Sequence, residues 1–190
     1  MLLVCLAGKG LDICLKPATL GAWGRNAALT KMDKTQLLKE IVTSLKESLE
    51  VLTKAAKASH AEATHESSKA ENKYDTRGLE AAYLAGGQAR QAKEIMESIG
   101  IYETLSIQDF TSGEPIDVTA LVELEADRTR SLFFIGPRNG GLEVQCEGQE
   151  VTVITPQSPL GQNLTARKAG DRWTAKLGGG TVKYRIVSVF

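Results

Sequence analysis

The sequence predicts an α+β protein: an antiparallel coiled-coil hairpin at the N-terminal side and a small antiparallel β domain behind it. Four observations carry this. Apolar residues recur at four–three spacing through Leu38, Val42, Leu45, Leu49, Leu52, Ala56 and Ala63, with Ser59 filling one gap. The same rhythm returns in Gly78, Ala82, Ala85, Ala89, Ala92, Met96 and Ile99. Such a/d seams belong to helices that pair with helices. The stretch between them, residues 60–80, is polar and charged until Leu79, so the chain turns back there. Beyond residue 117 the period changes from helical to alternating, which is the pattern of strands.

The 190 residues suffice for one or two domains with a real core. Lys and Arg number 23 and Asp and Glu 23, so overall charge gives no broad footprint for nucleic acid or an anionic membrane. Aromatic residues make up 5%, too few for a stacking platform along a single strand. Cys5, Cys14 and Cys146 form neither a metal-like cluster nor an even disulfide set, so a reduced cytoplasmic setting is expected. No apolar run approaches membrane-span length.

Residues 1–31 mix Gly, Pro, Trp and Cys without sustained periodicity and lack the basic start of a secretory signal. They read as a disordered or non-native extension, or else a short targeting or regulatory tail. Met32-Asp33-Lys34 then opens onto the heptads, with Asp33 suited to an N-cap. The hairpin occupies 32–104. Each arm, near 30 residues, would reach roughly 40 Å. Toward the turn both arms become rich in alanine, so the finger should be slim there, with Leu79, Tyr83 and Leu84 covering the thinned seam. Gly86-Gly87 reads as a close-packing point or bend, and Gly100 as the end of the second arm, with Ile101 and Tyr102 beyond.

Residues 105–117 form a linker with turn chemistry at Ser112-Gly113 and Pro115. The β domain, 118–190, begins with a strand over 118–125 and a second over 130–136. Asn139-Gly140-Gly141 marks a turn, and short strands follow at 142–146 and 151–154. Closing strands at 173–177 and 182–189 are flanked by turns at Ala169-Gly170-Asp171 and Gly178-Gly179-Gly180. Ser158 caps a short helix between them.

Two stretches now carry a resemblance. Glu71-Asn72-Lys73-Tyr74 stands at the hairpin tip. Near the C-terminus, Thr155-Pro156-Gln157-Ser158-Pro159-Leu160-Gly161 precedes Ala169-Gly170-Asp171 and Gly179-Gly180-Thr181-Val182-Lys183-Tyr184-Arg185-Ile186. The first resembles the ENxEY-like tip motif of the bacterial Gre transcription elongation factors, with a one-residue slip before Tyr74, and the second resembles their SPLGRALLGKKVGD…PGG…YEI pattern in order and spacing. The resemblance implies an FKBP-like C-terminal domain and RNA polymerase as partner, with the finger entering the secondary channel. It implies a monomer with no cofactor of its own, touching transcript RNA only through the polymerase. Gln157, Ser158 and Pro159 would grip the polymerase rim, and Asn72 and Tyr74 would contact the channel. An acidic pair at the tip would help polymerase-bound magnesium hydrolyse a backtracked transcript. Glu71 falls on the family's Glu; Ser68 stands where the family has Asp, and Glu66 and Asp75 are the nearby acids that could substitute.

Two other readings stay open. One is a regulator that occupies the channel without promoting cleavage. The other is a folding helper, with Phe133, Phe134, Trp173, Tyr184 and Phe190 available for an isomerase pocket. His60 and His65, five apart, do not share a helical face as a zinc pair would.

Overall fold

A computed structural model describes residues 32–65, 77–111, 113–127, 129–177 and 180–190. Helix α1 (Lys34–Thr64) and helix α2 (Arg77–Glu103) pack along one another. Asp33 caps α1 as its sequence position suggests, its carboxylate accepting from the Thr35 N–H at 2.8 Å. The α1 seam is as expected: Leu38 and Leu45 are buried, and Val42, Leu49, Leu52 and Ala56 partly so. At its base α1 also buries Lys34, Leu37 and Ile41, a second stripe that a two-helix seam does not need.

The α2 seam differs by one position in every second step. The inward residues are Gly78, Ala81, Ala85, Gln88, Ala92, Ile95, Ile99 and Tyr102. Ala82, Ala89 and Met96, expected inside, are exposed, Met96 by 61%. The helix also runs through Gly100 to Glu103, so Gly100 does not close it. Tyr102 accounts for both differences. Its ring is 1% exposed and its hydroxyl donates to the Arg138 carbonyl at 2.6 Å. Burial of so large a ring outweighs the roughly 1 kcal/mol that a helical glycine costs, and it sets which of two adjacent apolar residues faces inward. Gly86 and Gly87 lie within continuous helix, and a Cβ on either would meet nothing within 4 Å. They are therefore not a close-packing point. Leu79, Tyr83 and Leu84 do not cover the seam; they are 57%, 74% and 55% exposed.

Among the described residues six strands follow: β1 (Leu121–Ala126), β2 (Thr129–Ile135), β3 (Glu143–Cys146), β4 (Gln149–Ile154), β5 (Arg172–Leu177) and β6 (Gly180–Val189), with α3 (Pro159–Leu164) between β4 and β5. They form one sheet in the order β3-β4-β2-β1-β6-β5. All neighbours are antiparallel except β2 and β4, which run parallel, so the sheet is mixed. The parallel pair arises because β3 and β4 form a hairpin whose second strand, not its first, lies against β2. The hairpin turn is Glu147-Gly148, both at positive φ (51° and 76°), as a two-residue turn of the twisted type requires. β1 starts three residues later than the alternation suggests. Thr119 sits at φ 74°, which breaks the extended run, and its amide, hydroxyl and carbonyl are all engaged, by Ile135, Gln108 and Lys34 respectively.

The sheet has a core on each face. On one, Leu121, Leu132, Phe134, Val144, Cys146, Val151 and Val153 join Leu37, Leu38, Ile41, Leu45, Ile99 and Tyr102 from the hairpin base. On the other, Val122, Leu124, Ile135, Ile154, Ile186 and Val189 pack with Leu164 of α3 and Ile116 of the connecting segment. That segment is tied down: the Ile116 amide donates to Arg167 O at 2.8 Å, and the buried Lys34 ammonium donates to the Gln108 and Thr119 carbonyls beside the Phe110 ring. No helix among the described residues is long and apolar enough to cross a membrane.

Candidate functional site

The loop Thr155–Ser158 leaves β4 at its C-terminal end and is locked by its own chemistry. Ser158 is the N-cap of α3: its hydroxyl accepts from the Gly161 amide at 3.0 Å and donates to the Thr155 carbonyl at 2.7 Å. Pro159 occupies the first helical position, where its fixed φ fits and no N–H is required. Gly161 must be glycine, because a Cβ there would lie 1.9 Å from the Thr155 carbonyl oxygen. Leu164, fully buried, and the partly buried Leu160 anchor α3 on the sheet. Gln162 and Asn163 donate to the Gln157 and Pro159 carbonyls at 3.0 and 2.7 Å, bracing the backbone from behind. With the backbone held this way, the Gln157 and Pro159 side chains stand exposed, while Ser158 is half-buried and spent on the cap.

The structure therefore brings Gln157, Ser158 and Pro159 together as a rigid, outward-facing knuckle. The proposed tip residues Glu66, Glu71, Asn72, Tyr74 and Asp75, with Ser68, lie outside the described residues, as do residues 1–31 with Cys5 and Cys14. Beside the knuckle is an open cleft that sequence reasoning did not find. It lies between α2 and the loop after β2 and is lined by Glu94, Glu97, Ser98, Pro137, Arg138, Asn139 and Thr155. Arg138 pairs with Glu97 at 3.4 Å across it. The two halves of this cleft are nearly forty residues apart in sequence, and the Tyr102 hydroxyl, bonded to the Arg138 carbonyl, ties the end of α2 to the loop beside it.

The remaining candidates are packed residues. Phe134 is fully buried, and Phe133, Trp173 and Tyr184 pack into the α3-side core. Trp173 and Tyr184 stack at 5.0 Å, and the Arg167 guanidinium lies over Trp173 at 4.8 Å. Phe190 packs against the hairpin-side core. Cys146 is buried, and burial, followed by the Glu147 carboxylate, pushes its thiol above the usual range. No group of three or more His, Cys, Asp or Glu suited to a metal ion occurs among the described residues.

The described residues form a rigid knuckle on a β domain, with a long two-helix arm rooted on the opposite face of the same sheet, and among them no reacting constellation occurs. Residues 116–190 match the family described as transcription elongation factor, GreA/GreB, C-terminal. The β domain is thus a member of the GreA/GreB C-terminal domain family. Among solved structures, the chain is similar to the GreA factor homolog 1 (Gfh1) protein of Thermus thermophilus, at 23% identity over 85% of this chain and 97% of that one, with a TM-score of 0.32. Gfh1 of Thermus aquaticus gives 22% identity, coverage of 82% and 93%, and a TM-score of 0.33. A GreA/GreB elongation factor from Nitrosomonas europaea gives 19% identity, coverage of 50% and 78%, and a TM-score of 0.32. No curated protein matches the chain.

Proposed function

We propose that the protein is a transcription elongation factor that binds RNA polymerase through the Gln157–Pro159 knuckle and extends its hairpin into the polymerase secondary channel. The observation that carries this reading is the GreA/GreB C-terminal domain at 116–190, preceded in the same chain by an arm of 31 and 27 helical residues. In this role the protein is an accessory factor, and the metal ions of the reaction belong to the polymerase. Glu71, with Glu66 or Asp75, would supply carboxylates that help hold the second magnesium and orient water on a backtracked transcript. A second reading is favoured by one residue. Ser68 stands where the resemblance expects an acid, which supports a factor that occupies the channel without stimulating cleavage.

One experiment addresses both. Polymerase binding and transcript cleavage in a backtracked complex are measured for wild type, Gln157→Arg and Glu71→Gln. Gln157 is the right contact to change, because substituting Ser158 would also remove a helix cap worth about 1 kcal/mol. The expectation is that Gln157→Arg weakens binding at least tenfold while the fold persists, and that Glu71→Gln binds normally but loses cleavage. Wild-type affinity in Gln157→Arg refutes the knuckle as the contact. Absence of cleavage by wild type, with binding intact, selects the channel-occupying reading.

A further inference from the structure

The hairpin base covers the β3, β4, β2 and β1 portion of its side of the sheet, and among the described residues none within β5 or β6 joins that core. On that uncovered portion the register places Arg172 of β5 directly opposite Arg185 of β6, and Thr174 opposite Lys183. All four are exposed. Their neighbours Trp173 and Tyr184 alternate to the other face, into the α3-side core. Two like charges directly opposite on adjacent strands are destabilising, so this pair calls for a reason.

Protection of an edge strand by charge is one, and it covers Arg172, because β5 is the sheet edge. It does not cover Arg185 and Lys183, which lie on β6 between β1 and β5. Nor does pairing. Glu125 stands opposite Arg185 in register, but its carboxylate is held by Arg130 at 3.4 Å; Glu123 is held by Arg130 and Ser188. Asp127 sits at the end of this row, where its carboxylate accepts from the Lys183 backbone amide at 3.4 Å. Among the described residues none of the Arg172, Arg185 and Lys183 side chains has an ion-pair partner.

We propose that the exposed face of the β5–β6 ribbon is a binding site for the phosphate backbone of a nucleic acid, contacted by Arg172, Arg185 and Lys183, with Thr174 as a hydroxyl donor. Three features favour phosphate over an acidic protein surface. Arginine, lysine and threonine are the side chains that meet phosphate oxygens. Adjacent strands are about 4.8 Å apart and alternate residues about 6.6 Å, a spacing that lets the cations reach successive phosphates. Among the described residues the face carries no exposed apolar or aromatic side chain, whereas protein interfaces rely on buried anchors of that kind. The absence of aromatics also favours a duplex, bound by charge, over a stacked single strand. The site is separate from the knuckle, which belongs to the α3 side and leaves from β4, four strands or roughly 19 Å from β5. The balanced charge of the whole chain conceals this local excess.

The test uses the full chain with a short labelled duplex DNA and, in parallel, a duplex RNA of the same sequence, over a series of salt concentrations. Three phosphate contacts predict a slope of about −2.7 in log K against log salt on DNA, hence roughly a 40-fold loss between 50 and 200 mM. Arg172→Ala/Arg185→Ala should reduce the slope to about −0.9, while Arg138→Ala, on the distant cleft, should leave it unchanged. Binding to either duplex with this pattern supports the proposal, and the tighter arm identifies the nucleic acid. The double variant should keep its affinity for polymerase and melt at or above the wild-type temperature, since a repulsion is relieved. The proposal is overturned by undetectable duplex binding at 50 mM salt or by a double variant that binds like wild type. Equal competition by a poly-glutamate peptide of the same charge, or a double variant that melts several degrees lower, overturns it as well.

Discussion

Tyr102 shows how much one side chain can organise. Its ring sits where the hairpin base meets the sheet, and its hydroxyl bonds the carbonyl of Arg138. Gly136 makes room: a Cβ there would lie 2.3 Å from the Tyr102 oxygen. Burial pushes the phenol up to about 12 from its ordinary 10, against the smaller opposing effect of the Arg138 hydrogen bond. Because the folded-state value is the higher one, the unfolded chain loses its proton first as pH rises. The contribution of Tyr102 to stability is therefore unchanged below about pH 10 and is lost between pH 10 and 12, by on the order of 2 kcal/mol. Tyr102→Phe should cost about 1–2 kcal/mol at neutral pH, the worth of the hydrogen bond and of the carbonyl left behind. It should also remove this residue's share of the alkaline decline. Urea melts at pH 8 and pH 11 measure both effects; an unchanged alkaline loss in the phenylalanine variant would place its origin elsewhere.

At the scale of the element, α2 is where sequence and structure part. The α1 seam was legible because leucine and valine mark it against polar neighbours. In α2 the adjacent pairs Ala81 with Ala82 and Ile95 with Met96 fit either register, and at Gln88 and Ala89 the four–three rhythm favours the alanine, whereas the fold turns Gln88 inward. Ending the helix at Gly100 removed Tyr102, the residue that decides between the two registers. The strands were legible from alternation and turn glycines, except where Thr119 breaks the run and where β4 lies parallel to β2, a pairing that strand periodicity does not encode. The knuckle was legible because Ser158, Pro159 and Gly161 each carry a local backbone requirement. The cleft and the basic face were not, since both depend on which strands and helices become neighbours. The helix also carries a testable excess. Gly86 and Gly87 occupy ordinary helical positions with open space around them. Replacing each by alanine should stabilise α2 by roughly 0.5–1 kcal/mol. If the melting temperature rises while polymerase binding or cleavage falls, flexibility of the arm at this point is functional; if neither moves, the glycines cost less than helix propensity implies.

For the whole molecule, the decisive feature is that the finger does not stand on a finished domain. Leu37 and Ile41 of α1 are completely buried, and they share one core with Leu121, Phe134 and Val151 of the sheet. Without the hairpin base, that face of the sheet would expose a contiguous apolar surface of the kind monomeric proteins avoid. The arm beyond about residue 50 has little of this support: Val51 is 67% exposed and the inward positions there are mostly alanine. Anchoring and reach are thus divided along the same two helices, rigid where they meet the sheet and marginal farther out. Ile41→Ala tests this division. A cavity at a fully buried isoleucine costs about 2–5 kcal/mol, and a shared core requires the loss to appear in helix and sheet together. Helical circular dichroism and the fluorescence of Trp173, read in a Trp23→Phe background, should therefore shift to lower denaturant by the same amount. Hydrogen exchange should show amides near residues 37–45 and 95–102 protected to the level of the sheet, with protection falling along residues 51–64. A helical signal that melts early while Trp173 keeps its wild-type midpoint would mean that the finger and the sheet are separate cooperative units. The direction in which the arm points would then be set by the connecting segment instead of by the core.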